Sequence, residues 1–219
     1  MWEEGPGGRK SRPLLLLFSG GSFQFEVRYR DTLRWAREQG FEARQVMYPV
    51  NDLAGAWRTA RDAASDAYRR WRPIYAWGDS AGGVFAARLA QLGLTNAAAA
   101  VAAPDNLITW PYDQHDPEST SYRFWDDIRN SRPPTRRYIS PVFHPTANRV
   151  LVVHARNDTI VPFEINRRWA ARDPRVRLRE SASTHDLSQT AIIERNHRGS
   201  LRWLWRDYLR RLSKRRACG

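Results

Sequence analysis

The chain has 219 residues, of which 42% are hydrophobic and 10 are tryptophans. This length is sufficient to bury one sizeable core, and the apolar content excludes an intrinsically disordered chain, so we expect a single domain over residues 1–219. The formal net charge is +13. No apolar run is long enough to span a bilayer, and the sequence has neither zinc-finger spacing nor an aromatic RNA-binding signature. A membrane span and a nucleic-acid partner are therefore not expected.

The basic residues are almost all arginines, because Lys10 and Lys214 are the only lysines. This bias has two interpretations: the codon composition of a GC-rich genome, or an anionic partner such as an acidic carrier protein. The densest basic run covers residues 206–216, where arginines on the outer face of a terminal helix are usually solvated. We expect a free small molecule as the partner and keep the carrier protein as the alternative.

The number of cysteines is one indication of the cellular compartment. Cys218 is the only cysteine, so no intrachain disulfide can form. The short apolar run at residues 14–18 lacks the flanking features of a signal peptide. Both observations favour a reducing compartment, and we predict a cytoplasmic protein.

Strands and helices alternate in the predicted structure. Short apolar runs bounded by turn residues predict buried strands, and apolar residues at three- and four-residue spacing predict helices. In chain order, we predict a flexible leader (1–12), a strand (14–18), a loop (19–23), a helix (26–39) that ends at Gly40, a strand (43–50), a helix (54–71), a strand (73–77), a helix (83–93), a strand (97–102), an irregular excursion (104–148), a strand (149–154), a helix (163–171), a short strand (176–179) and a closing helix (186–211) with Gly199 as a candidate break. Such alternation is typical of parallel strands joined by crossover helices, with ligand sites at the carboxyl ends of the strands.

The stretch Trp77-Gly78-Asp79-Ser80-Ala81-Gly82-Gly83 carries the pattern G-x-S-x-G. By itself the pattern is weak, since glycine and serine are common and a Gly-rich connector would look the same. Here a predicted strand enters it and a predicted helix leaves it, which is the context of a nucleophile elbow. We therefore predict Ser80 as a nucleophile on a strained turn.

A serine hydroxyl needs a base, and the base needs an orienting carboxylate. His185 follows the last predicted strand, in a loop that can deliver its imidazole above the sheet. Asp158 follows the preceding strand; an ordinary turn or helix cap would be its alternative role. Of the other histidines, His154 ends a buried run and is expected to be structural. The chain order Ser80, Asp158, His185 matches one of the folds that carry this triad.

An acyl-transfer site also needs fixed donors for an oxyanion. The backbone N–H of Ala81, directly after the predicted nucleophile, is one candidate. Gly20 and Gly21, in the loop after the first strand, are the other candidates, although an ordinary turn would show the same sequence pattern.

These motifs together resemble the α/β-hydrolase superfamily over residues 14–212, most closely small esterases of the hormone-sensitive-lipase and arylformamidase type. The resemblance is carried by Ser19-Gly20-Gly21-Ser22, by Gly78 to Gly83 and by the segment from His154 to Pro162. It implies a compact α/β-hydrolase fold with a mostly parallel sheet of about six strands, helices on both faces and an inserted lid. One departure is that Ser19 stands where these esterases have a histidine, which bears on the orientation of the oxyanion loop.

The resemblance implies acyl transfer through a serine-bound intermediate, which requires no cofactor and no metal. Three function classes follow. The first is an esterase or thioesterase on a small apolar or aromatic acyl group. The second is an acyltransferase, cyclase, amidase or formamidase with the same residues, and the third is a non-catalytic binding protein on a hydrolase scaffold. The same triad serves hydrolysis and transfer, so the sequence does not separate the first two classes.

The excursion 104–148 is predicted to roof the substrate pocket as a lid. Aromatic side chains in it and beside the oxyanion loop suggest an apolar or aryl acyl group. Packing into a small core within the lid is an equally good interpretation of these aromatic residues. The predicted substrate-binding residues are Phe23, Trp110, Tyr112 and Trp125.

Overall fold

The computed structural model describes residues 12–21, 28–71, 73–109, 131–186 and 188–217. Within these ranges the elements are β1 (Leu14–Phe18), α1 (Arg30–Gln39), β2 (Glu42–Val46), α2 (Leu53–Arg70), β3 (Ile74–Asp79), α3 (Ala81–Gln91), β4 (Ala97–Val101), α4 (Pro133–Ile139), a 3₁₀ turn (Pro141–Phe143), β5 (Arg149–Ala155), α5 (Phe163–Arg172), β6 (Val176–Ser181) and α6 (Thr190–Ala217). No helix in the described ranges has the length and apolar character needed to cross a membrane.

The six strands form one sheet in the order β2-β1-β3-β4-β5-β6, and every neighbouring pair is parallel. This confirms the predicted α/β architecture. The chain leaves β1 in one direction to form β2 and returns on the other side of β1 to form β3. The strand order therefore reverses between β1 and β3, and the carboxyl ends of these two strands flank the crevice where open α/β sheets bind ligands.

Helices cover both faces of the sheet, as predicted. On one face α2, α3 and α5 pack on the sheet through a core that includes Phe18, Trp57 and Phe85. On the other face α1 and α6 enclose Trp77 and Phe41. All residues of α3 are buried, so the helix that follows the G-x-S-x-G pattern is held firmly between the sheet and its neighbours.

Strand boundaries differ from the prediction where pairing sets them. The strand predicted over 43–50 ends at Val46, because its partner β1 ends at Phe18 and the two residues are opposite each other in the register. The strand predicted over 176–179 continues to Ser181, because Ser181 pairs with Ala155. β3 reaches Asp79, two residues beyond the prediction, and only Ser80 separates it from α3.

Helix boundaries differ for reasons of packing. α1 begins at Arg30, and the described residues 28 and 29 directly before it are not helical; Tyr29 N donates a hydrogen bond to Gln45 Oε1. α6 runs unbroken through Gly199 because its buried face continues on both sides of that residue, and such packing overrides the poor helix propensity of glycine. The excursion predicted as irregular contains α4, whose prolines occupy its first turn, where proline is tolerated.

Candidate active site

Ser80 occupies a strained turn between strand and helix. Its φ of 48° and ψ of −120° lie in a region that residues other than glycine rarely adopt. The turn is crowded, since a Cβ atom on Gly78 would lie 2.2 Å from the Gly82 carbonyl oxygen, and one on Gly82 would lie 2.2 Å from that of Phe18. Only residues without a side chain fit at these two positions, which explains the spacing of the pattern around the serine.

His185 connects this serine to an acid. Its Nε2 lies 3.1 Å from Ser80 Oγ, and its Nδ1 lies 2.6 Å from Asp158 Oδ2. Because the carboxylate can only accept, Nδ1 carries the proton and Nε2 is left to accept the serine hydroxyl. The structure thus brings together the three residues predicted from the sequence, in the arrangement by which a serine can be deprotonated.

Asp158 is surrounded by donors. Its Oδ1 accepts hydrogen bonds from the backbone N–H groups of Ile160 and Val161, both at 2.9 Å, and its Oδ2 accepts from the Thr184 hydroxyl and from His185. Burial alone would raise the pKa of Asp158, but hydrogen bonds from His154, His185 and Thr184 outweigh burial and lower the pKa far below its ordinary value. The acid is therefore ionised and fixed in orientation.

The pKa of His185 is raised from its ordinary value. Burial of the ring acts to lower this pKa, but the hydrogen bond and the charge of Asp158, together with the charge of Asp79, outweigh it. A base with a raised pKa accepts a proton more readily, as proton abstraction from serine requires.

His154 lies beside Asp158, and its contacts are consistent with the structural role predicted for it. It is fully buried, and its Nε2 lies 2.9 Å from the Val161 carbonyl oxygen and 3.3 Å from Asp158 Oδ2. Its Nδ1 accepts a hydrogen bond from Asn166 Nδ2 at 2.6 Å. Thr184 and Asn166 were not singled out from the sequence, because a polar residue in a loop or helix gives no local signal that it will face an aspartate or a histidine.

The loop predicted to supply oxyanion donors lies against the turn of Ser80. A Cβ atom on Gly20 would lie 3.3 Å from Ser80 Cβ and 3.2 Å from the Asp79 carbonyl oxygen. Ala81 is the first residue of α3, where backbone N–H groups have no partner within the helix. Gly21 follows with a φ of 93°. Gly20 and Ala81 are adjacent to the serine, and the role of all three candidate donors in catalysis stays a prediction.

The remaining predicted site residues cannot be placed. Phe23, Trp110, Tyr112 and Trp125 lie outside the described residues, as does the central part of the predicted lid. The substrate pocket therefore stays a prediction.

The other described histidines take no part in this cluster. His144 Nε2 contacts the Arg137 carbonyl oxygen, and His197 is buried beside Thr32, with its Nδ1 3.1 Å from the threonine hydroxyl. Among the described residues, no group of three or more His, Cys, Asp or Glu side chains is arranged to hold a metal ion.

A sequence profile of the prolyl oligopeptidase family matches residues 47–175, more than half of the chain. The chain belongs to the prolyl oligopeptidase family. The matched region includes Ser80 and Asp158 and ends before His185. The predicted membership in the α/β-hydrolase superfamily is confirmed. A search of curated proteins by sequence found no match.

Solved structures with the same fold include two esterases. An esterase of Thermogutta terrifontis with bound butyrate superposes with a TM-score of 0.71 at 18% identity, over 96% of this chain and 87% of that one. The esterase of Pyrobaculum calidifontis superposes with a TM-score of 0.71 at 19% identity, over 91% of this chain and 76% of that one. Likeness at this level of identity establishes a common α/β-hydrolase fold.

Proposed function

We propose that this protein is a serine hydrolase that cleaves a carboxylic ester or thioester of a small apolar or aromatic acyl group. The observation that carries the proposal is the chain of hydrogen bonds from Ser80 through His185 to Asp158. A non-catalytic binding protein would have no need of a strained serine aligned with a histidine and a buried carboxylate, so the third function class is disfavoured.

In the proposed reaction, His185 Nε2 takes the hydroxyl proton as Ser80 Oγ attacks the acyl carbon. Asp158 holds the tautomer of His185 and stabilises the imidazolium. The oxyanion is stabilised by the Ala81 N–H and by backbone donors of the Gly20–Gly21 loop. His185 then returns the proton to the departing alcohol or thiol, which leaves an acyl-serine. His185 then takes a proton from water, which attacks the acyl carbon. The bond from this carbon to Ser80 Oγ breaks, His185 returns the proton to Oγ, and the carboxylic acid is released.

The suggestion of a short acyl group has support from the structural relatives. The Thermogutta terrifontis esterase has been solved with butyrate and with propionate bound, and also phosphonylated by sarin. A fold shared with that enzyme is consistent with short acyl esters as first test substrates.

Cleavage of amide bonds is the second candidate, and the family match favours it because the family is named for oligopeptidases. The same residues would then release an amine in place of an alcohol. Transfer to an amine, alcohol or thiol acceptor in place of water, including cyclisation, uses the same acyl-serine. Rates on p-nitrophenyl butyrate and on a prolyl anilide, each with and without added amine, separate these reactions.

The position of the basic run bears on the partner. Arg211 Nη2 donates to the Asn96 carbonyl oxygen, just before β4, so this part of α6 lies at the amino edge of the sheet. Ser80 lies at the carboxyl edge. A carrier protein docked on the basic run would have to reach across the whole sheet, which supports a free small molecule as the substrate.

The test is hydrolysis of p-nitrophenyl butyrate together with labelling by a fluorophosphonate. The wild type should hydrolyse the ester and be labelled on Ser80. Ser80→Ala should abolish labelling and lower kcat by about 10⁶-fold. Ser188→Ala, at an exposed serine three residues after His185, serves as the control and should leave both unchanged. A folded Ser80→Ala variant that keeps a tenth of wild-type activity would exclude this nucleophile.

A further inference from the structure

Two partly buried tyrosines outside the Ser80–His185–Asp158 cluster approach the Ser19–Gly21 loop from opposite faces of the sheet. Tyr29 precedes α1, and its ring packs against Trp77 at 5.7 Å between centroids. Tyr48 follows β2, and its ring packs against Phe85 at 5.2 Å on the other face. Each ring packs against a different core, so a shift of either hydroxyl would disturb the ring packing on that face of the sheet.

The hydroxyl of Tyr29 connects the loop to the serine turn. It donates to Asp79 Oδ2 at 2.5 Å, and Asp79 is the residue directly before Ser80. The same oxygen lies close to Gly20, where a Cβ atom would be only 3.1 Å from it. Tyr29 Oη therefore contacts both the residue before the nucleophile and the loop that faces it.

The hydroxyl of Tyr48 holds the start of the same loop. It donates to the backbone carbonyl oxygen of Ser19. That carbonyl also packs on the start of α3, where a Cβ atom on Gly82 would lie 2.4 Å from it. The position of Ser19 is thus fixed from the side of β2 and from the serine turn.

Both hydroxyls are donors at neutral pH. Burial raises the pKa of Tyr48 to about 12, and burial followed by the charge of Asp79 raises the pKa of Tyr29 well above its ordinary value. Protonated phenols can donate the two hydrogen bonds throughout the pH range in which a histidine base would act.

We propose that Tyr29 and Tyr48 are positioning residues that hold the Ser19–Gly21 loop at a fixed distance from Ser80. The inference rests on the proposed function, in which this loop contributes donors to the oxyanion hole. In the esterases that the motifs resemble, the loop begins with a histidine; here Ser19 stands at that position, and the two phenols secure the loop from outside it.

The expected consequence is specific to the transition state. Oxyanion donors stabilise the tetrahedral intermediate more than the bound ester, so a loop that is loosely held lowers kcat and leaves KM nearly unchanged. A displacement of an ångström or less in such groups can cost about tenfold to a hundredfold in rate.

The variants are Tyr29→Phe and Tyr48→Phe, which remove one hydroxyl each and keep the ring contacts. Tyr75→Phe is the matched control. Tyr75 is fully buried and, like Tyr29, donates to a carboxylate, Asp207 Oδ2 at 3.4 Å, but it lies four residues before Asp79 on β3, towards the amino edge. All three variants lose a hydroxyl that donates a hydrogen bond, and only the first two lose one near the loop.

We expect kcat on p-nitrophenyl butyrate to fall by about tenfold or more in Tyr29→Phe and Tyr48→Phe, with KM within about twofold, and to stay unchanged in Tyr75→Phe. The inhibition constant of an alkyl boronic acid, which mimics the tetrahedral intermediate, should rise in parallel with the loss of kcat. The melting temperature should fall in all three variants, so a general loss of stability is separated from the catalytic effect.

Amide hydrogen exchange of residues 14–21 tests the same inference without any activity. Exchange at Ser19 to Gly21 should be faster in Tyr29→Phe and in Tyr48→Phe than in the wild type or in Tyr75→Phe. Unchanged exchange in both variants would overturn the positioning role, as would kcat values equal to that of the control. A wild type that is neither active nor labelled by a fluorophosphonate would instead reject the proposed function, and the exchange result would still decide whether the tyrosines hold the loop.

Discussion

Two buried aspartates at opposite edges of the sheet differ in the partners that surround them. At the carboxyl edge, the Asp158 side chain is fully buried and hydrogen-bonded to His185 and Thr184. At the amino edge, only 4% of the Asp207 side chain is exposed. Three arginines bond to it: Arg149 at 3.1 Å, Arg210 at 3.3 Å and Arg211 at 2.7 Å.

The chemistry of the partner determines what each carboxylate can do. Arginine stays charged at every pH at which a protein is folded, so the cluster around Asp207 fixes α6 to the sheet and transfers no proton. Histidine changes its charge near neutrality, so the carboxylate at the other edge can support proton transfer. Loss of the carboxylate should therefore lower activity at the carboxyl edge and leave activity unchanged at the amino edge.

Asp158→Asn tests the catalytic role of the aspartate at the carboxyl edge, and it has the largest expected effect. An amide can donate to Nδ1 of His185 and so favours the wrong tautomer of the base. We expect kcat to fall on the order of 10⁴-fold, and the melting temperature to fall as well, because the lowered pKa of Asp158 means that the folded state stabilises its ionised form. Steady-state kinetics on p-nitrophenyl butyrate and thermal unfolding measure both quantities. A variant with a tenth of wild-type kcat would show that Asp158 does not orient the base.

Asp207→Asn tests the structural role of the aspartate at the amino edge. The three arginines would lose their shared acceptor, but they are about 37–54% exposed, so solvent screens part of the loss. We expect the free energy of unfolding to fall by about 2 kcal/mol, with kcat unchanged. Denaturant unfolding and the ester assay distinguish this outcome from a catalytic effect. Equal losses of activity in the Asp158 and Asp207 variants would remove the distinction between the two edges.

Asp105→Asn extends the comparison to a carboxyl group for which the described part of the chain offers no hydrogen-bond partner. Asp105 is fully buried, and neither of its side-chain oxygens has a hydrogen-bond partner among the described residues. Burial raises the pKa of Asp105 well above its ordinary value, so the folded state binds this proton more tightly than the unfolded chain. The free energy of unfolding should then decrease as the pH rises above about 4, where the unfolded chain ionises, and level off above the folded pKa.

Replacement by asparagine removes this ionisation. We expect the variant to be more stable than the wild type at pH 8, by about 1 kcal/mol, and to lose stability less steeply between pH 5 and pH 8. Urea unfolding at the two pH values measures this difference. A variant that is less stable than the wild type at pH 8 would show that the ionised carboxylate contributes to the fold.

Asp79→Asn is the mildest test and concerns the charge near the base. The activity of the wild type should fall as the pH drops through the pKa of His185, which is raised above its ordinary value of 6.5 in part by the charge of Asp79. The variant removes that charge but retains an oxygen to accept from Tyr29. The acidic limb of the kcat/KM profile should move to lower pH, because less attraction holds the proton on His185. An unmoved limb would mean that Asp79 does not influence the base.

Much of the candidate site could be predicted because its signals are local. The turn of Ser80 depends on a strand, two glycines and a helix that are contiguous in the chain. Asp158 and His185 each follow a recognisable strand, and the carboxyl ends of parallel strands meet at one edge. The central residues of all six strands were predicted for the same reason. The ends of the strands depend on the neighbouring strands with which they pair, as the register of Val46 opposite Phe18 illustrates.

The amino-acid sequence by itself determined the alternation of strands and helices and the identity of the residues that meet at the serine, because periodicity and turn chemistry act within a few neighbouring residues. Only the tertiary structure decided that β1 lies between β2 and β3, which brings Gly20 against Ser80 and the hydroxyls of Tyr29 and Tyr48 onto the same loop. It also decided that Asp207 meets three arginines, while the side chain of Asp105 has no hydrogen-bond partner among the described residues. Such contacts join residues far apart in the chain, and they form only when both faces of the sheet are packed.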